Sequence, residues 1–337
     1  MHPELPRVLY HYTALDAFIG MVRTKQLWLS HARFLNDIDE IRRGQQVLCN
    51  ALSFGFQKEE QAGSYNVLRP LESGIRTLTD YYVTCFSTSR DLLSLWRGYG
   101  SRGGVCIEFD LSDTSYFETL LGFGDSLAFH PAIYSDETFV STIGALIEKH
   151  VASEDTGVEL LLDLLSVNDF GPVAFRIANP FLGDIAHAGS GGHFSSFKKD
   201  RIHKLISKCS QAEIEDLLIK IMSHLVPLIK NEFFKEEGEV RLVLNPYKSE
   251  ETADRVSQVI RHRISSINMI VPYVRTTDLL QECNPETDCL PHLPIKSVMV
   301  GPSHDSARIA DSIRSFLFHH QALGEVPVFE SRIPYRG

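Results

Sequence analysis

The sequence predicts an α+β protein, with strands at both ends of the chain and a helical block between them. Alternation of apolar and polar residues indicates strands in DYYVTCFSTS and VCIEFDL, and again in EVRLVLN, NMIVPYV and KSVMVGP. From about residue 135 to residue 232 the apolar spacing is mostly helical. Hydrophobic residues make up 43% of the 337-residue chain, which is enough for one large domain or two ordinary ones.

The stretch LYHYTALDAFIGMVRTKQLWLS, residues 9–30, predicts a strand, a helix and a second strand in succession. The helix follows from apolar residues at helical spacing, and QLWLS resumes as a strand. On the first strand His11 lies on the face opposite Tyr10 and Tyr12. A histidine in so short a strand is either a hydrogen-bonded interior group or a contact to a ligand.

Two segments in the middle of the chain carry candidate ligand contacts. The strand CFSTS ends in small hydroxyl residues, among them Ser87, which can donate a hydrogen bond to a ligand without crowding it. Downstream, LWRGYG places Trp96 and Tyr99 on one helical face, where aromatic rings can stack on a planar heterocycle. Packing is the alternative, because tryptophan and tyrosine commonly fill cores and serine commonly ends a strand.

The late segment EEGEVRLV carries three charged residues at strand spacing. Glu237, Glu239 and Arg241 are expected to share one side of an extended strand. Burying three charges without partners costs too much, so this side is either solvated at a sheet edge or lines a site. Upstream, Pro227 is expected to kink or break the last helix of the helical block.

Composition limits the classes of partner. The net charge of −10 gives no sign of a broad basic surface for nucleic acid or membranes. No apolar run approaches the roughly 18 residues that span a bilayer, and the start MHPELPRVLY lacks the layout of a signal peptide. The six cysteines are scattered rather than spaced as a disulfide framework. These observations predict a cytoplasmic protein with no membrane partner.

The residues that could bind a metal do not have the spacing of a known site. The segment CNPETDCLPH contains Cys283, Cys289 and His292, but the gap between its cysteines exceeds the about two to four residues of usual zinc sites. No fourth ligand is evident. His187 and His193 lie in AHAGSGGHFSSF, a polar segment typical of a loop. We therefore expect no metal.

The motifs occur in an order that resembles the bacterial domain-of-unknown-function family 2971. Members are similar in having a Tyr-His-Tyr-Thr strand, a Phe-Asn-Asp turn, a Cys-Phe-Ser strand before a tryptophan, and a late Glu-x-Glu-x-Arg strand. The resemblance implies an ADP-ribosyltransferase-like fold, with a split mixed sheet and a cleft for a nicotinamide cofactor. It implies a single domain over residues 1–337, into which residues 135–232 are inserted as a helical block.

The same resemblance implies roles for individual residues. In that fold a first-strand histidine meets a ribose hydroxyl, a middle-strand serine or tyrosine lies beside the nicotinamide, and a late-strand glutamate completes the site. Matching by position gives catalytic roles to Glu239, Glu237 and His11, and of the two glutamates the second is usually the catalytic one. The middle strand here lacks the tyrosine of the histidine-tyrosine-glutamate version. The implied cofactor contacts are His11, Tyr12, Thr13, Ser87, Trp96, Tyr99 and Arg241.

The implied activity is transfer of ADP-ribose from NAD⁺, used as substrate, to a protein or nucleic acid, as in a bacterial toxin or an anti-phage effector. An NAD glycohydrolase would use the same residues with water as the acceptor. A non-catalytic nucleotide-binding module would need the cleft but not an ionised Glu239. A hydrolase with a metal held by His11, Glu237 and Glu239 is a third class. The sequence leaves the acceptor and the oligomeric state open.

Overall fold

The computed structural model describes residues 6–35, 81–100, 103–112, 116–117, 120, 126–134, 226–246, 250–265, 268–283, 291–320 and 323–334. These residues form a mixed α+β structure with an open mixed sheet, which confirms the predicted α+β class. The predicted insertion at 135–232 lies outside the described residues up to residue 225, as do His187, His193 and Cys289.

The described residues form ten strands and five α-helices. The strands are β1 Val8–Thr13, β2 Trp28–His31, β3 Tyr82–Ser87, β4 Val105–Asp110, β5 Leu127–Pro131, β6 Glu239–Leu244, β7 Arg261–Ile264, β8 Ile270–Arg275, β9 Ile295–Val300 and β10 Val328–Glu330. The helices are α1 Leu15–Thr24, α2 Leu93–Tyr99, α3 Glu250–Val259, α4 Thr276–Cys283 and α5 Ser306–Phe318. Short 3-10 helices span Ala32–Phe34, Val226–Leu228 and Glu232–Glu237.

The end of the expected helical block differs from the sequence-based expectation. Its described part holds the 3-10 turn Val226–Leu228 and then extended chain, in which Ile229 pairs with Ile133. Pro227 has no backbone N–H to donate and its ring opposes a continuing α-helix, in keeping with the expected break. Within the described residues 226–238 the chain therefore reaches β6 without an α-helix.

The sheet has the order β10-β9-β4-β1-β3-β2-β8-β7, and β6 pairs with both β3 and β5. The pair β9 and β10 is parallel and the other strand pairs are antiparallel. Along one edge β3 pairs with β6 over its whole length, from Tyr82 to Ser87. This long pairing joins the early and late segments of the chain.

The other edge of β3 is where the sheet divides. Near its start β3 pairs with β2, through Val83 opposite Ser30. At its end it pairs with β1, through Ser87 opposite Tyr10. Beyond these contacts β1 continues with β4 and β2 continues with β8, so the two halves of the sheet diverge from β3.

Side chains on the two faces of β3 and β6 have opposite character. Phe86 lies opposite Val240, and both are buried in the main hydrophobic core. On the other face, Cys85 lies opposite Arg241 and Ser87 lies opposite Glu239. Burying one large apolar side chain stabilises a fold by about 1.5–3 kcal/mol, so the apolar alternation fixes which face holds the core. The polar alternation then fixes the face that carries Glu239 and Arg241.

No helix in the described part of the chain combines the length and the apolar character needed to cross a membrane.

Candidate active site in the divided sheet

A cavity of about 1090 Å³ opens where β1 and β2 diverge on β3. This volume is slightly above the roughly 300–1000 Å³ found for small-ligand sites. Among the residues named from the sequence, those that line it are His11, Tyr12, Thr13, Ser87, Tyr99, Glu237, Glu239 and Arg241. Trp96 is not among its lining residues.

One wall of the cavity carries a buried cluster of four charged residues, which we call the β6 charge cluster: Lys230, Glu237, Glu239 and Arg241. Each of these residues is 8% exposed or less. The Lys230 Nζ donates to Glu237 Oε2 at 2.7 Å and also to Glu239 Oε2. The Arg241 Nε donates to Glu239 Oε1 at 2.5 Å, and a second guanidinium nitrogen donates to the Pro227 carbonyl at 2.7 Å.

Mutual neutralisation makes this cluster compatible with burial. Two carboxylates face two cations, and a buried charge is tolerated when it is paired and hydrogen-bonded. Burial alone opposes ionisation of Glu239, but the charges and hydrogen bonds of Arg241 and Lys230 outweigh it and lower the pKa of Glu239 to about 2. Glu239 is therefore a carboxylate at neutral pH.

The prediction that Glu237 lies on the same strand as Glu239 was wrong. Glu237 ends the 3-10 helix Glu232–Glu237, whose start is capped by the side chain of Asn231. Gly238 follows with φ of +49°, a left-handed conformation that glycine adopts without steric cost. The strand begins only at Glu239, and Lys230 brings the two carboxylates together in place of strand alternation.

Ser87 connects β3 to the turn that precedes β6. Its hydroxyl donates to the Glu237 carbonyl at 2.5 Å and accepts from the Ser89 amide at 2.9 Å. The Thr88 amide donates to the Gly238 carbonyl at 2.9 Å. The hydroxyl proton of Ser87 is thus already committed, and this side chain fixes the backbone beside the two glutamates.

His11 joins β1 to β3 where the sheet divides, on the face of β3 that carries Phe86. Its Nδ1 lies 2.9 Å from the Cys85 carbonyl oxygen, and its ring contacts Phe86 at a centroid distance of 5.6 Å. A carbonyl can only accept, so Nδ1 carries the proton of this bond. Desolvation lowers the pKa of His11, although the carbonyl bond opposes the shift. At neutral pH the ring is therefore neutral, with Nε2 as a hydrogen-bond acceptor.

The aromatic residues named from the sequence separate into two groups. Trp96 is 3% exposed, packs edge to face against Tyr12 at 4.8 Å, and donates from Nε1 to Asp91 at 2.7 Å. Tyr12 donates to the Ser89 carbonyl at 2.9 Å. Tyr99, at the end of α2, is 41% exposed and faces the cavity. Trp96 and Tyr12 thus support the 87–92 segment, and Tyr99 remains accessible.

Sequence reasoning missed three residues of this region. Lys230 lies in a stretch with helical periodicity, where a lone lysine after apolar residues was the only signal. Tyr134 accepts at its hydroxyl from the Glu239 amide at 2.6 Å, and burial raises the pKa of Tyr134 to about 12. Arg263 lines the cavity from β7 and had no distinguishing motif.

The described residues include no group of three or more His, Cys, Asp or Glu side chains placed to hold a metal ion. Within the β6 charge cluster both carboxylates are bonded to Lys230, which occupies the position between them.

Comparison with known proteins links part of the chain to a family model. No curated protein and no solved structure matches the chain. The sequence model of the family described as "Protein of unknown function (DUF2971)" matches residues 95–242. This segment contains Tyr99 and the whole β6 charge cluster, while His11 and Ser87 precede it. The match supports the domain family that the order of the motifs indicates, DUF2971.

Proposed function

We propose that this protein is an NAD⁺-consuming enzyme that breaks the bond between nicotinamide and ribose and transfers ADP-ribose to a macromolecule. The observation that carries the proposal is that the ionised Glu239 and the neutral His11 line one cavity in a divided sheet. These two side chains come from strands far apart in the sequence. The ADP-ribosyltransferase-like character of the fold is part of this proposal and rests on the resemblance of the motifs.

Glu239 supplies the electrostatic part of catalysis. When the glycosidic bond breaks, its electron pair leaves with nicotinamide and positive charge builds at the ribose C1′ atom. A carboxylate fixed before the reaction stabilises that charge without reorganisation, and such preorganised groups are worth about 10²–10³ in rate. Each Glu239 oxygen already accepts one bond from a cation, but a carboxylate oxygen has a second lone pair for a ribose hydroxyl.

His11 supplies positioning. With Nδ1 donating to the Cys85 carbonyl, Nε2 can accept a hydrogen bond from a ribose hydroxyl. The carbonyl bond and the contact with Phe86 hold the ring in one orientation. Holding the sugar in a reactive geometry lowers the activation barrier by about several kcal/mol, as it does for other well-oriented reactants. An acceptor nucleophile then attacks C1′ and loses its proton; with water the product is free ADP-ribose.

The test is release of nicotinamide from NAD⁺ by the purified full chain, measured by chromatography. We expect release by the wild type and a loss of about 10²–10³-fold in Glu239→Gln. Asp278→Asn is the matched control, because Asp278 also pairs with two basic side chains but does not line the cavity. We expect its rate to stay within about twofold of the wild type, because Asp278 does not line the cavity.

Two outcomes would contradict the proposal. One is wild-type protein that binds nucleotide but releases no nicotinamide, which would favour the non-catalytic module. The other is Glu239→Gln that stays folded, as judged by thermal unfolding, and releases nicotinamide at the wild-type rate. Loss of wild-type activity on adding a chelator would point to the metal-dependent hydrolase.

A further inference from the structure

The far end of the cavity is built by β2 and β7 and contains Trp28, Ser30 and Arg263. Ser30 lies opposite Val83 in the β2–β3 pair, so it points to the same sheet face as Cys85 and Ser87. Trp28, two positions earlier on β2, shares that face. The cavity floor therefore runs from the β6 charge cluster across β3 to these residues.

Arg263 differs from the two arginines beside it in the sheet. Arg261 donates to Asp278 at 2.9 and 3.2 Å, and Arg275 donates to the same carboxylate at 2.9 and 2.5 Å. Among the described residues no carboxylate pairs with Arg263, which donates to the Ser30 hydroxyl at 3.1 Å. Its Nε is buried and has no hydrogen-bond partner in the described part of the chain.

A guanidinium with uncommitted donors at a cavity wall favours an anionic ligand. Arginine has five N–H donors in a planar fork, which matches the oxygens of phosphate. A buried donor left without an acceptor is costly, so a ligand that supplies one recovers that cost on binding. A phosphate near Ser30 would also accept from the serine hydroxyl.

Trp28 adds an aromatic surface beside this cation. Its ring packs on Tyr273 at a centroid distance of 4.6 Å, and the Arg263 guanidinium carbon lies 5.9 Å from the ring. It remains 42% exposed although it is a large apolar side chain. Exposed tryptophan held by a neighbouring ring is suited to stacking on a planar base.

We propose that Arg263, Ser30 and Trp28 form a nucleotide subsite in which Arg263 and Ser30 bind a phosphate and Trp28 stacks on the adjoining adenine. The identity of the dinucleotide rests on the proposed function, whereas the phosphate-and-base chemistry rests on these three residues alone. When NAD⁺ binds, this subsite holds its adenylate half, and Glu239 faces the nicotinamide ribose at the other end of the cavity.

The experiment is calorimetric titration of the full chain with ADP, which lacks nicotinamide and so reports on the subsite without catalysis. We expect Arg263→Gln to weaken binding about tenfold or more, the effect of losing a charge-assisted hydrogen bond. Arg261→Gln is the matched control: it removes the same charge from the same strand, but its guanidinium is committed to Asp278. We expect its affinity for ADP to equal that of the wild type within about twofold.

Further measurements of binding and of nicotinamide release distinguish a failure of this subsite from a failure of the proposed function. Trp28→Leu is expected to weaken ADP more than it weakens inorganic pyrophosphate, because only ADP has a base to stack. ADP binding that depends on Arg263, without nicotinamide release, supports the subsite and overturns the proposed function. Nicotinamide release with an unchanged KM for NAD⁺ in a folded Arg263→Gln keeps the function and overturns the subsite, as does wild-type protein that binds no ADP.

Discussion

Glu239 and Asp278 have the same arrangement of charges in two regions of the molecule with different surroundings. Each carboxylate is buried and bonded to two basic side chains. The partners of Glu239 are buried too: the side chains of Lys230 and Arg241 are 5% and 3% exposed. The partners of Asp278, Arg261 and Arg275, are 47% and 29% exposed.

Glu239 and Asp278 differ in what surrounds them and not in how they are paired. Nearby cations lower the pKa of both carboxylates against the opposing effect of burial. Asp278 joins the start of α4 to β7 and β8 and does not line the cavity, so its charge is structural. Glu239 has the same charge held at a cavity wall. An ion-paired carboxylate is thus not in itself a functional site, and the cavity beside Glu239 distinguishes it.

The largest expected stability difference compares the same two carboxylates. Glu239→Gln leaves Lys230 and Arg241 with excess buried positive charge, and breaking such a pair costs about 3–5 kcal/mol. Asp278→Asn leaves two arginines that water reaches, so we expect a loss of about 1 kcal/mol. Urea unfolding at pH 7 measures both free energies of unfolding. Equal losses in the two variants would contradict the distinction between these regions.

A smaller change in the free energy of unfolding is expected when the pH is lowered. The pKa of Glu239 is about 2 in the folded chain, below its ordinary value of 4.5, so the folded state binds fewer protons in this range. The resulting stability is present above about pH 5 and is lost as pH falls toward 2, and it amounts to about 3 kcal/mol. Urea unfolding from pH 7 to pH 3 should therefore show the wild type losing about 2 kcal/mol of its advantage over Glu239→Gln. An advantage that stays constant over this range would contradict the assignment.

The local elements followed from the sequence because their signals are local. Alternation near His11 and the helical spacing after it predicted β1, α1 and β2, and the apolar alternation after Glu239 predicted β6. The residues to which the motifs gave catalytic or cofactor-binding roles line one cavity, apart from Trp96. Trp96 fills a core position where Gly100 and Gly301 leave room for its ring: a Cβ added at either glycine would lie within 3 Å of it.

The remaining features of the site depend on contacts between separate elements of the fold. Lys230 reaches Glu239 because the chain leaves helical periodicity at Pro227 and returns beside β6. The distinction between Arg263 and Arg261 arises from the position of Asp278, on a later helix. Neither contact follows from the regular spacing of a helix or strand: the turn before β6 sets the first, and the pairing of β7 with β8 sets the second.

The central claim is that Glu239 faces the ribose from which nicotinamide departs. The most direct measurement is a crystal structure of Glu239→Gln bound to intact NAD⁺, since this variant is expected to bind without turning over. We predict that the ribose C1′ atom lies about 3.5 Å from the side chain of residue 239, a near-reactive separation, with a ribose hydroxyl bonded to His11 Nε2. NAD⁺ bound away from this cavity, or with its nicotinamide ribose turned away from residue 239, would contradict the account.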